Sequence, residues 1–123
     1  MGIFTFQKAE RLSKEKNIQE LFSKGSSFYL YPFKILLLPN PDQNYPYNQV
    51  LISVSSRNFK KAVDRNLIKR RIREAYRLNK AALKGTQKLM IAYIYTAKEI
   101  LTFQEIQEKL IKAFKRFDHV EKN

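Results

Sequence analysis

From Lys60 to Arg77 the chain reads KKAVDRNLIKRRIREAYR, and eight of these eighteen residues are Lys or Arg. Wound at about 100° per residue, the segment gathers Ile68, Ile72, Ala75 and Tyr76 on one arc. Arg65, Asn66, Lys69, Arg70, Arg73 and Arg77 fall on the neighbouring arc. Guanidinium groups grip phosphate oxygens through a planar fork and stack on bases, so this set suits a polyanion, and nucleic acid first. Asn66 adds a donor and an acceptor among the cations, suited to ribose, a base edge or a bridging water; a capping or purely exposed role stays equally open. A merely solvated helix face usually carries glutamates four residues from its lysines. Only Glu74 is so placed here, which disfavours that reading.

Chemistry of the protein's own would need a poised acid, base, nucleophile or metal. The eleven carboxylates are scattered, with Glu15, Glu20, Glu105, Glu108 and Glu121 reading as solvated surface beside lysines. Asp64 suits the start of the basic helix, where a carboxylate favours the helix dipole, and Glu74 is flanked by Arg70 and Arg77. Ser53, Ser55 and Ser56 have no histidine to activate them, because the one histidine is His119, in an expected frayed tail. Cysteine is absent, which excludes disulfides and thiolate metal sites. Glycines at 2, 25 and 85 cannot form a phosphate-cradling loop. No catalytic residue and no metal ligand is expected.

Charge points the same way. The 123 residues carry a formal net charge of +13, of which +9 (eleven basic, two acidic) lies between Arg57 and Lys84. Such an excess repels itself unless a partner neutralises it. Hydrophobic residues make up 44%, enough for one domain over 1–123 with a single core, its ends 1–8 and 118–123 flexible. No apolar run nears the roughly 20 residues that span a bilayer. The start, MGIFTFQKAERL, lacks a signal-peptide core, and Phe6 stands where a myristoylation signal wants Ser or Thr. A cytoplasmic protein is expected, with no membrane partner and no small-molecule cofactor.

The elements that must hold the basic segment follow from periodicity. Ser13 is a candidate cap for a short helix with Ile18, Leu21 and Phe22 along its apolar stripe and Gly25 as its stop. Phe28 to Leu38 reads as a strand, irregular or divided at Pro32. Pro39 to Asn48 has the turn chemistry of an extended hairpin loop. Gln49 to Ser55 alternates as a strand does. The basic helix should run from about Val63 to Leu83, broken by Gly85 and Thr86. Lys88 to Tyr95 reads as a strand covered on both faces. Thr102 to Glu105 is a capping box, opening a helix with Phe103, Ile106, Leu110, Ile111, Phe114 and Phe117 on one face. The order αββαβα, with a helix between strands, implies a crossover and an α+β class: three helices on a small mixed sheet.

In residue order the basic segment resembles a known family. Ala62-Val63, Arg65-Asn66, Lys69-Arg70, Arg73 and Arg77 are similar to the RNR motif of the bacterial ribonuclease P protein subunit. Arg11-Leu12 with Ile18, Leu21, Phe22 and Gly25 resembles that family's N-terminal helix. Tyr31-Pro32-Phe33, Leu51 to Ser55 and Lys88 to Tyr95 resemble its strands, so the likeness spans the domain.

The resemblance implies a ribonucleoprotein in which a large RNA hydrolyses the 5′ leader from precursor tRNA. Magnesium ions would be held mainly by RNA and substrate phosphates. It implies that the protein binds ribonuclease P RNA through the RNR helix and receives single-stranded leader in a cleft between the N-terminal helix, the sheet and that helix. It also implies a left-handed βαβ crossover, against the usual right-handed preference. On this chain the implied RNA contacts are Arg65, Asn66, Lys69, Arg70 and Arg73, flanked by Lys61 and Arg77. The cleft residues are Phe22 and Phe33, whose rings would stack bases, with Ile18 and Leu36 where family members often carry aromatics. Ser55-Ser56-Arg57 replaces a more basic family pattern. A ribosomal or ribosome-assembly protein is the alternative with the same charge. A DNA-binding regulator fits poorly, because a strand and not a helix precedes the basic helix.

Overall fold

The computed structural model describes residues 6–83 and 87–121 and has the expected α+β class. A single 3-10 turn, Lys8–Glu10, precedes α1 (Glu15–Lys24), β1 (Ser26–Leu30), β2 (Phe33–Pro39) and β3 (Gln49–Val54). Then come α2 (Ala62–Asn79), which ends in a 3-10 turn at Lys80–Ala82, β4 (Leu89–Tyr95) and α3 (Phe103–Glu121). Pro32 does divide the first strand: β1 and β2 form a hairpin around a cis Tyr31–Pro32 peptide. The Gly85–Thr86 break, the His119 side chain and the ends 1–5 and 122–123 lie outside the described residues.

The expected hairpin loop is overturned. Pro39 to Asn48 does not close a hairpin, because β2 and β3 are not neighbours; the sheet order is β1-β2-β4-β3. β4 is apolar on both faces and takes an interior position, antiparallel to β2 and parallel to β3. The 40–48 segment instead bridges the start of β4. The Asn40 N–H donates to the Lys88 carbonyl (2.8 Å), the Lys88 N–H to Gln43 Oε1 (3.0 Å) and the Leu89 N–H to Asn48 Oδ1 (2.8 Å). The parallel β3–α2–β4 connection is the crossover expected of a helix set between strands.

Strand pleating assigns alternate residues to opposite faces. Phe33, Ile35 and Leu37 of β2 join Ile91, Tyr93 and Tyr95 of β4 and Val50 and Val54 of β3 under α2 and α3. The α2 stripe expected from periodicity, Ile68, Ile72, Ala75 and Tyr76, is the buried one. Ile106, Leu110, Ala113, Phe114 and Phe117 supply the buried face of α3. Thr102 caps that helix, its hydroxyl accepting the Glu105 N–H at 3.2 Å. On the opposite sheet face a smaller cluster, Leu12, Leu21, Leu36, Met90 and Ala92, lies beneath α1.

Ser13 does not cap α1. The helix begins at Glu15, Lys14 takes the cap position, and neither gives a side-chain cap. The stop at Gly25 has a steric cause. Its N–H donates to the Leu21 carbonyl at 2.9 Å, and a Cβ there would lie 2.4 Å from that same oxygen. Only glycine permits so close an approach.

The core concentrates phenols, and burial holds Tyr76, Tyr93 and Tyr95 above the usual tyrosine range. A proton held more tightly in the folded state means stability that is complete below the unfolded tyrosine pKa of about 10 and is lost as pH rises above it. Chemical denaturation repeated at rising pH should therefore show a plateau near neutrality and a steep fall in the alkaline range. A flat profile through that range would contradict the burial of these hydroxyls.

Candidate nucleic-acid interface

The core stripe of α2 decides where its cations point. With Ile68, Ile72, Ala75 and Tyr76 against the sheet, Asn66 and Arg70 are exposed, and Lys69, Arg73 and Arg77 are half-buried at the margin. Lys61 occupies the N-cap position and is exposed. A cation there opposes the helix dipole, at a cost of about 0.3–1 kcal/mol, so its location does not serve the helix.

Two arginines differ from the rest. Arg65 sits at the seam between the basic and buried arcs, and its Nη1 donates to the carbonyls of Phe59 (2.7 Å) and Lys60 (3.0 Å). It braces the loop that enters α2, so only part of its fork faces outward. Arg71 turns the other way and donates to the Leu101 carbonyl at 2.6 Å, joining α2 to the segment before α3. Arg77 is ion-paired with Glu74 one turn earlier.

Facing this helix is a segment that helical periodicity did not single out. Phe6 packs edge-on to Tyr76 with centroids 5.9 Å apart, and the Arg11 guanidinium lies 5.9 Å from the Phe6 centroid. Phe6 and Arg11 join Arg70, Arg73, Glu74 and Arg77 around an open pocket of about 340 Å³. A second hollow of about 290 Å³ shares Phe6, Arg11 and Arg73 and extends past Lys69 to Leu51 and Ile52 of the edge strand β3. Together they form a groove from the arginines of α2 towards the sheet.

The cleft expected beside α1 is only partly built from the expected residues. Phe22 is 48% exposed, and Ile18 is half-buried at the edge of the α1 cluster. Phe33 is wholly buried and meets Tyr93 and Tyr95 edge-on at 5.8 and 6.1 Å, so its ring is core and cannot stack on a ligand. Leu36, 5% exposed, is covered within the α1 cluster and is likewise withdrawn from the cleft surface. The exposed part of that sheet face is the next row, Tyr29–Lys34–Ile94–Ser53, paired in register across all four strands. Ile94 is the one residue of β4 that is not buried, and Tyr29 is 58% exposed, its hydroxyl accepting from the Thr96 hydroxyl at 3.2 Å. Tyr29 was legible only as one aromatic in an apolar strand.

Among the described residues no three His, Cys, Asp or Glu gather as a metal site, and no helix is long and apolar enough to cross a membrane. The arrangement is a cationic groove beside an aromatic-bearing sheet face, suited to backbone phosphates and unpaired bases.

Comparison with known proteins agrees with that geometry. The ribonuclease P family model matches residues 6–118. The ribonuclease P protein component of Porphyromonas gingivalis strain W83 is 31% identical over 118 residues, covering 92% of this chain and 86% of that one. Among solved structures, a Staphylococcus aureus RNase P protein mutant, described as defective in mRNA degradation activity, superposes with a TM-score of 0.76. It is 30% identical and covers 90% of both chains. The RNase P protein from Thermotoga maritima gives a TM-score of 0.73 at 29% identity, covering 87% of this chain and 96% of its own. Family, relatives and solved folds coincide with the RNR order on α2, and the chain belongs to the ribonuclease P protein family.

Proposed function

We propose that the protein is the RNA-binding subunit of a cytoplasmic ribonuclease P ribonucleoprotein. Its RNA partner carries out the hydrolysis that frees the mature 5′ end of tRNA. The observation that carries this reading is the cationic arc of α2, aimed outward by a buried stripe. Lys61, Asn66, Lys69, Arg70, Arg73 and Arg77, with the outward part of Arg65, bind ribonuclease P RNA. Magnesium is held by that RNA and by substrate phosphates. The protein's contribution is to neutralise phosphates that would otherwise repel one another as RNA and substrate close up.

The 5′ leader of precursor tRNA runs over the uncovered sheet row beside α1. There Phe22 and Tyr29 offer stacking faces, Lys34 an ammonium group for a phosphate and Ile18 an apolar surface. Stacking without hydrogen-bond readout suits a leader of varied sequence. A ribosome-assembly role has no observation of its own behind it.

Filter binding tests the RNA face directly. The protein should bind its cognate ribonuclease P RNA with a steep salt dependence and prefer it to a ribosomal RNA fragment of equal length; equal binding to both would defeat the reading. For the leader track, Phe22→Ala and Tyr29→Ala should each weaken leader-bearing substrate by about 1–3 kcal/mol and spare mature tRNA. Equal losses on both substrates would remove these rings from the track.

A further inference from the structure

Phe6 to Leu12 is fastened to three separate parts of the molecule. Glu10, 2% exposed, accepts from Lys80 at the end of α2 at 2.7 and 3.0 Å and from the Gln7 N–H at 3.1 Å. The Tyr45 hydroxyl donates to the Ala9 carbonyl at 2.7 Å, and the Tyr47 hydroxyl to Gln7 Oε1 at 2.9 Å. Arg11 pairs with the edge strand at Val50, and the Leu12 N–H donates to the Val50 carbonyl at 2.9 Å. A buried carboxylate costs stability unless it is closely matched, so this is a strong restraint on one short segment. Its consequence at the surface is the position of Arg11, which faces Arg70, Arg73 and Arg77 across one pocket.

That pocket has a charge surplus. Among the described residues the only carboxylate lining it is Glu74, which is engaged by Arg77, and Arg11, Arg70 and Arg73 have no carboxylate partner there. Guanidinium groups converging from two chain segments repel one another unless an anion lies between them. With a volume of about 340 Å³, the pocket sits at the lower end of the roughly 300–1,000 Å³ range of small-ligand sites. Planar forks on two sides favour phosphate oxygens, and Phe6 supplies an apolar wall.

We propose that this pocket holds a backbone phosphate of ribonuclease P RNA, with Arg11 as the jaw opposite the α2 helix. The proposal rests on α2 being the RNA face and extends that face to a residue outside the RNR motif. The groove continuing past Lys69 gives the same RNA strand a path towards β3.

Binding of cognate ribonuclease P RNA is measured over a salt series for wild type, Arg11→Ala, Arg11→Lys and Lys112→Ala, the last removing an exposed cation of α3. Arg11→Ala should bind about 10- to 100-fold more weakly, as expected for loss of a charged hydrogen bond. Its salt slope should fall by about 0.7–0.9. Arg11→Lys should fall between it and wild type, since an ammonium keeps the charge and loses the fork. Lys112→Ala should bind as wild type. Thermal melts should change little, because the hydrogen bonds that hold this segment are made by its backbone and by neighbouring side chains, and the Arg11 side chain adds only its contact with the Phe6 ring.

Wild-type affinity and slope in Arg11→Ala would overturn the proposal, as would equal losses in Arg11→Ala and Lys112→Ala. If inorganic phosphate at constant ionic strength binds in an Arg11-dependent way while RNA affinity ignores Arg11, the pocket serves a small anion and the proposal falls. If wild type itself does not bind the RNA, the RNA-face reading fails and takes the jaw with it. Normal binding by wild type and a silent Arg11 would remove the jaw alone.

Discussion

Replacing Lys69 and Arg73 together by alanine is expected to weaken binding to ribonuclease P RNA by about 10²- to 10⁴-fold. Each side chain stands at the margin of the cationic arc, and both line the groove between α2 and the Phe6–Arg11 segment. Hydrogen bonds to charged groups contribute about 1.5–3 kcal/mol each, and every 1.4 kcal/mol is a factor of about ten. The salt dependence should flatten by about 0.7–0.9 log unit for each phosphate that is no longer neutralised. Stability should change little, because among the described residues neither cation is in an ion pair. Binding isotherms at several salt concentrations separate the outcomes. An unchanged slope would make both residues spectators.

Phe33→Ala is expected to act on the fold and not on the ligand. Removing a fully buried phenylalanine typically costs about 3–5 kcal/mol, a large share of the roughly 5–15 kcal/mol that holds a domain together. Here it also removes the edge-on packing against Tyr93 and Tyr95. Denaturant titration should give a much lower midpoint. Under conditions where the variant remains folded, discrimination between leader-bearing and mature tRNA should match wild type. Phe22→Ala should behave in the opposite way, since its ring is 48% exposed. A Phe33→Ala protein of normal stability without leader discrimination would return Phe33 to the cleft.

This contrast marks where the sequence stops being legible. The inner stripe of α2 could be read because the helical repeat separates apolar from basic arcs within one segment, and the outward cations followed from it. In β2, Phe33, Ile35 and Leu37 alternate with Lys34, Leu36 and Leu38, so apolar residues fill both faces. Period-2 patterning cannot choose a cleft side when a two-layered core takes up both. The sheet order was hidden for a related reason. Prolines and asparagines between 39 and 48 say only that the chain turns. The partners that make the turn a bridge, Lys88 and Leu89, lie more than forty residues away.

The cationic face of α2 shows the same limit. Arg65 looks like any other member of the RNR motif, yet part of its fork is spent on the loop at Phe59 and Lys60. Arg11 belongs to no basic run, and no local spacing links it to α2. The buried Glu10–Lys80 pair brings it there, joining positions seventy residues apart. Type and order of residues therefore identified the helix, and long-range packing identified what faces it.

The proposed division of labour leaves the hydrolysis to the RNA partner. It is tested most directly by cleavage of precursor tRNA at low magnesium, using the cognate ribonuclease P RNA alone, the protein alone, and the two together. The expected result is slow cleavage by RNA alone, none by protein alone, and a strong stimulation in the mixture at the junction that leaves the mature 5′ end. RNA that works equally well without the protein, or a protein that cleaves without the RNA, would contradict the account.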